Sequence, residues 1–128
     1  MKKIVNTQKA PAPIGPYSQA VAAGNLLFVS GQIPVNPLNG ELVLDDIKTE
    51  TTQVMENIKV ILEEAGADFS HVVKATIFLK DMKNFSSVNE VYGWYFKDQF
   101  PARETVEVSG LPKNVNVEIS VIAVNNTH

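Results

Sequence analysis

Two charged residues stand where charge is hard to place. Arg103 closes the run Phe100-Pro101-Ala102-Arg103 and opens a strand-like stretch over residues 104–108. Glu118 follows fifteen residues later, in the middle of a second strand-like stretch over residues 115–124. A charged side chain in a β-branched strand costs free energy if it is buried without a partner, so Glu118 either faces water or has a task. A guanidinium fork suits a carboxylate or phosphate, and a nearby carboxylate can act as a base or hold a water. Together the two residues point to a site for a small anionic substrate.

Three further positions offer useful chemistry. Tyr17 lies beside Gly15 in the proline-rich loop over residues 10–17 and can stack on or hydrogen-bond a ligand. Ser30-Gly31, at a strand end, can present a hydroxyl and an open backbone N–H to a ligand oxygen. Asn89 sits near the edge of an apolar helical stripe. Each has a plainer alternative: an arginine paired with a surface acid, an intersubunit salt bridge for Glu118, a tyrosine that pins its loop, a glycine at a bulge, a solvated or capping amide.

Much chemistry is excluded. The chain has no cysteine, and its two histidines, His71 and the C-terminal His128, fit neither a metal motif nor a catalytic triad. The glycines are too scattered for a phosphate-binding loop. Carboxylates and bound water remain as acid–base groups, which favours a low-barrier hydrolysis over difficult bond chemistry. A net charge of −3 draws the chain to neither nucleic acid nor acidic membrane. At 128 residues, 45% hydrophobic and 20% charged, the sequence reads as a single domain over residues 1–128. No apolar run follows the basic start, and none approaches transmembrane length, so a soluble cytoplasmic protein is expected.

The elements that must position these residues follow from periodicity. Strands are expected over residues 21–23 and 26–33, turning near Gly24-Asn25. Val54, Ile58, Ile61, Leu62 and Ala65 share one face of a helix within residues 45–65, with Gly66 beyond it. A strand over residues 72–79 should carry Val73, Ala75, Ile77 and Leu79 on one face. A second amphipathic helix spans residues 84–96. The order β-β-α-β-α-β-β predicts an α+β fold, a mixed sheet with two helices on one face. In the last strand Val115, Val117, Ile119, Val121 and Ala123 form an apolar face, and Asn116, Glu118, Ser120, Ile122 and Val124 a mixed one. A sheet face so mixed fits coverage by another subunit.

Seven segments, in order, resemble one family. Ile14-Gly15-Pro16-Tyr17-Ser18-Gln19, Ser30-Gly31-Gln32-Ile33-Pro34, Asn89-Glu90-Val91-Tyr92, Phe100-Pro101-Ala102-Arg103, Val106-Glu107-Val108, Leu111-Pro112-Lys113 and Val117-Glu118-Ile119 resemble the Rid family of reactive intermediate deaminases, also called the YjgF or L-PSP family. The resemblance implies a chorismate-mutase-like fold and a homotrimer whose sheets form a barrel with clefts between subunits. It implies cofactor-free hydrolysis of 2-imino acids, such as 2-iminobutanoate and 2-iminopropanoate, to 2-oxo acids and ammonia. Arg103 then matches the arginine that binds the substrate carboxylate, and Glu118 the glutamate that positions or activates water. Tyr17 matches an aromatic reaching the pocket from a neighbouring subunit, and Ser30, Gly31 and Asn89 match pocket-lining positions.

Two departures stand out. Where many members read Pro-Ala-Arg-Ser-Cys or Pro-Ala-Arg-Thr-Cys, this chain reads Pro101-Ala102-Arg103-Glu104-Thr105, which puts Thr105 in the cysteine's place beside the substrate. Strand alternation should turn Glu104 to the face opposite Arg103. Where many members read Arg-Leu-Pro, this chain has Gly110-Leu111-Pro112. Two rival readings accompany the resemblance: an RNA-cleaving translation inhibitor, a label some relatives carry, and a module that binds small molecules without turnover.

Overall fold

A computed structural model describes residues 1–125, so His128 lies outside the described residues. Six strands and two α-helices alternate along the chain: β1 (Lys2–Val5), β2 (Ala20–Ala23), β3 (Leu26–Gln32), α1 (Ile47–Glu64), β4 (Val72–Leu79), α2 (Phe85–Gly93), β5 (Ala102–Glu107) and β6 (Val117–Val124). The strands form one sheet in the order β1-β2-β3-β6-β4-β5. Only the β4–β5 pairing is parallel. This is the α+β architecture expected from the sequence, with α1 and α2 packed on one sheet face.

Local chemistry accounts for the boundaries. Asp46 caps α1 by accepting a hydrogen bond from the Thr49 N–H at 2.8 Å. Gly66 follows the helix in the left-handed region at φ 79°, a conformation glycine adopts without steric cost. The buried stripe Val54, Met55, Ile58, Ile61 and Leu62 meets Leu27, Ile77, Ile119 and Val121 in one continuous core. In β6 the residues Val117, Ile119, Val121 and Ala123 all face that core, as strand alternation requires. Among the described residues, no helix is long and apolar enough to cross a membrane.

Four details differ from the sequence reading. Strand β1 was not expected, because two of its four residues are lysines and it shows no apolar alternation. It nevertheless pairs with β2 from Lys2↔Ala23 to Val5↔Ala20, and lysines on an edge strand discourage further pairing. Val73 does not join Ala75 and Ile77 on the core face. The β4–β6 register shifts between Val72 and Lys74, so Val72 is buried and Val73 is 44% exposed. Strand β5 begins at Ala102, so Arg103 lies inside the strand rather than at its mouth. Strand β6 begins at Val117, two residues late, because Lys113 and Asn114 adopt positive φ in the turn before it.

The sheet face away from the helices carries a cross-strand row, Ile4, Val21, Phe28 and Ile122. Ile4 and Phe28 remain 45% and 43% exposed, and Phe78 with Val106 forms a second apolar pair further along. Continuous apolar area of this kind marks an interaction surface. Light scattering in dilute solution should therefore give a mass of more than one chain; a mass of 14.0 kDa would contradict a covered face.

Candidate active site

Arg103 lies on the helix-bearing face of the sheet, because its register partner on β4 is the buried Ala75. Its guanidinium carbon stands 5.1 Å from the ring centre of Tyr92 and 5.7 Å from that of Phe85, both on α2. Such stacking holds a guanidinium through the ring quadrupoles while leaving its edge N–H groups available. Nη1 donates to Asn89 Oδ1 at 2.6 Å, so the helix both supports and orients the fork. Among the described residues no carboxylate pairs with Arg103. Thr105, two residues on, shares this face through its pairing with Ile77. Its hydroxyl is buried without a hydrogen-bond partner, as is that of Tyr92. Burial pushes the Tyr92 phenol up to about 12, although the Arg103 charge pulls the other way. Glu104 points to the opposite face as expected, paired with Lys74 at 3.2 Å.

Glu118 belongs to the other side. Its partner on β4 is Phe78, while the adjacent Ile119 pairs with Ile77 in the core. Its carboxylate lies over Gly31: a Cβ there would fall 1.9 Å from Oε2, so any side chain at this position would displace the carboxylate. The β3–β6 register shifts between Val29 and Gln32, taking Ser30 and Gly31 out of the regular ladder beside it. Partial burial holds the Glu118 carboxyl above the usual carboxylate range. Among the described residues it has no hydrogen-bond or ion-pair partner.

Tyr17 and Gly31 line one cleft of about 320 Å³ together with Ile14, Gln19, Gln32 and Lys113. The Tyr17 oxygen accepts from the Ile14 N–H at 3.3 Å, which tethers the loop, yet the side chain stays 48% exposed to the cleft. Ser30 donates its hydroxyl to Ser18 O at 2.6 Å. That proton is engaged in holding the loop, so toward a ligand Ser30 offers only lone pairs.

The predicted site residues thus fall into two sets. Arg103, Asn89 and Thr105 gather where α2 meets β5. Glu118, Gly31, Ser30 and Tyr17 gather on the open face and its adjoining cleft. One chain does not bring the two sets together. His71 has a structural role instead: its Nδ1 accepts from the Asp68 N–H at 3.1 Å. Sequence reasoning missed the aromatic bed of Phe85 and Tyr92 as part of the site, although both lie within the amphipathic helix expected over residues 84–96. It also missed Gln19, 2% exposed, whose amide donates to the backbone oxygens of Thr7 at 3.0 Å and Pro11 at 2.9 Å and so fixes the Tyr17 loop. Among the described residues no group of three or more His, Cys, Asp or Glu side chains could hold a metal ion.

The sequence and fold match one known class. A family model described as Endoribonuclease L-PSP matches residues 7–125. A RutC family protein of Pyrococcus horikoshii is 57% identical over 123 residues, covering 96% of this chain and 98% of its own. RidA from an Antarctic Psychrobacter superposes with a TM-score of 0.92 at 42% identity, covering 95% of this chain and 98% of that one. TdcF of E. coli, solved with bound serine, superposes with a TM-score of 0.91 at 42% identity over the same shares. The chain belongs to the L-PSP family, to which the Rid proteins also belong.

The Glu118 environment has a measurable consequence. A carboxyl whose folded pKa is raised binds more protons in the folded than in the unfolded state, so stability falls as pH rises from the ordinary carboxylate range through the raised value. Glu118→Gln should unfold at a higher denaturant midpoint than the parent at neutral pH, and the difference should vanish at acid pH where both carboxyl states are neutral. A difference independent of pH would show that burial does not perturb this group.

Proposed function

We propose that the chain is a 2-imino acid deaminase, hydrolysing small imines such as 2-iminobutanoate and 2-iminopropanoate to 2-oxo acids and ammonia. One observation carries the reading: a bedded, oriented guanidinium and a half-buried carboxylate, both without ionic partners among the described residues, project from opposite faces of one sheet. A second copy of the chain completes the site, with Arg103, Asn89 and Thr105 from one copy and Glu118, Gly31, Ser30 and Tyr17 from its neighbour. The apolar open face supports such an assembly, and the homotrimer implied by the resemblance to the Rid family would supply it.

The chemistry follows from these positions. The substrate carboxylate takes the Arg103 fork, which fixes the neighbouring imine carbon near Glu118. Glu118 accepts a proton from water as the water oxygen bonds to that carbon, and the C=N electron pair moves to nitrogen. That proton passes to the nitrogen to give a carbinolamine; the hydroxyl proton then moves by way of Glu118 to the same nitrogen, the C–N bond breaks with its electron pair leaving on ammonia, and the freed O–H pair forms the carbonyl. Carbon keeps its oxidation level, so no electron acceptor is required. A carboxyl with a raised pKa is a better base than an ordinary one, and fixed geometry supplies most of the remaining acceleration for so reactive an imine.

The family's description as an endoribonuclease supplies a rival reading. A net charge of −3 works against a polyanionic substrate. The only described histidine is His71, which serves as a cap.

Arg103→Ala should lower kcat/KM for freshly generated 2-iminobutanoate by roughly a hundredfold or more while preserving the oligomer. Glu118→Gln should retain 2-oxo acid binding and lose turnover. Full turnover in either variant, or cleavage of single-stranded RNA that both variants abolish, would overturn the assignment.

A further inference from the structure

Helix α1 buries polar side chains, and two of them reach out of the helix to other segments. Glu50 and Asn57 are each 1% exposed and seven residues apart, which is two turns or about 10.5 Å along the axis. Glu50 accepts from the Asn116 backbone N–H at 2.7 Å and from the Asn116 side-chain amide at 2.9 Å. Asn116 O in turn accepts from the Lys80 N–H at 3.1 Å, so the residue is gripped from two directions. Asn57 donates to Ile33 O at 3.1 Å and Val35 O at 3.0 Å, and its own oxygen accepts from Gln53 at 2.9 Å.

The two grips fall at matched places. Asn116 stands two residues before Glu118, and Ile33 two residues after Gly31. Glu118 places its carboxylate in the space that a Cβ on Gly31 would enter. We propose that α1 acts as a ruler for this half of the site, with Glu50 and Asn57 as positioning residues that fix the Glu118 carboxylate over Gly31. Neither side chain is a product of core packing, because an apolar residue would fill the same stripe without burying a carboxylate or an amide. Glu50 is placed in the first turn of α1, where the helix dipole favours a negative side chain. A carboxylate held there accepts one Asn116 donor on each oxygen and so anchors the residue just before β6. The inference rests on the proposed role of Glu118 in turnover, and one arm of its test does not.

The variants are Glu50→Ala, Glu50→Gln and Asn57→Ala, each assayed on 2-iminobutanoate and each crystallised. Glu50→Ala and Asn57→Ala should lower kcat roughly tenfold to a hundredfold, as a displacement of about 1 Å does in an oriented site, with KM little changed. Glu50→Gln keeps an acceptor for the Asn116 N–H and should recover most of the loss. In crystals of the two alanine variants the Glu118 carboxylate should leave its place over Gly31. Loss of thermal stability with kcat intact would reduce both residues to structural supports and overturn the proposal. If the parent chain shows no imine turnover, the deaminase reading fails, and the crystal arm decides alone: Glu118 unmoved in both variants refutes the ruler. Should Glu50→Ala not fold, Asn116→Ala, which keeps the backbone bond to Glu50, and Asn57→Ala carry the same comparison.

Discussion

Side chains along a β-strand alternate between faces, and in this sheet the alternation separates two charges that the proposed chemistry needs together. Arg103 follows Ala75 to the helix side; Glu118 follows Phe78 to the open side. No rotamer carries either across a sheet whose middle is filled by Ile77 and Ile119. A chain with this register can use the pair only by presenting one half-site to each of two neighbours. The apolar open face, with a carboxylate on it and a guanidinium at the sheet edge that have no ionic partner among the described residues, fits that single constraint.

Each half-site meets the cost of holding a polar group in a different way. The Arg103 guanidinium rests on two rings and one amide, so little rotamer freedom remains to be lost when a carboxylate arrives. Glu118 occupies the space left by Gly31, and partial burial raises its proton affinity, with no cation among the described residues to stabilise its charge. The loops around both depend on buried side chains that bond to backbone: Gln19 for the Tyr17 loop, Asn57 for the segment after Gly31, Glu50 for the approach to β6. Buried polar groups are tolerated where every bond is made, and here their bonds lead to the residues that line the site.

The sequence carried the fold class and the faces of the last strand because both rest on periodicity. Alternation in residues 115–124 placed Ile119 inward and Glu118 outward, and the structure has them so. It also turned Glu104 away from Arg103 correctly. What periodicity does not encode is a shift in register: the irregularity at Val72–Lys74 inverted the orientation of Val73, and β1 is a strand only because β2 offers it a partner. Nor did it give buried polar residues a purpose. Glu50 lies at i−4 from Val54, on the stripe of α1, and a charge at such a position was the available signal. The separation of Arg103 from Glu118 needed the strand order, which brings β5 and β6 to either side of β4, and no local pattern contains that order.

The central claim is that the working site is shared between chains. Arg103→Ala and Glu118→Gln proteins, each inactive alone, can be unfolded together, refolded as mixed oligomers and assayed for imine hydrolysis. Sharing predicts that activity returns in the mixture, because some interfaces pair an intact Arg103 from one chain with an intact Glu118 from another. A mixture that forms mixed oligomers and stays as inactive as its parents would contradict the account.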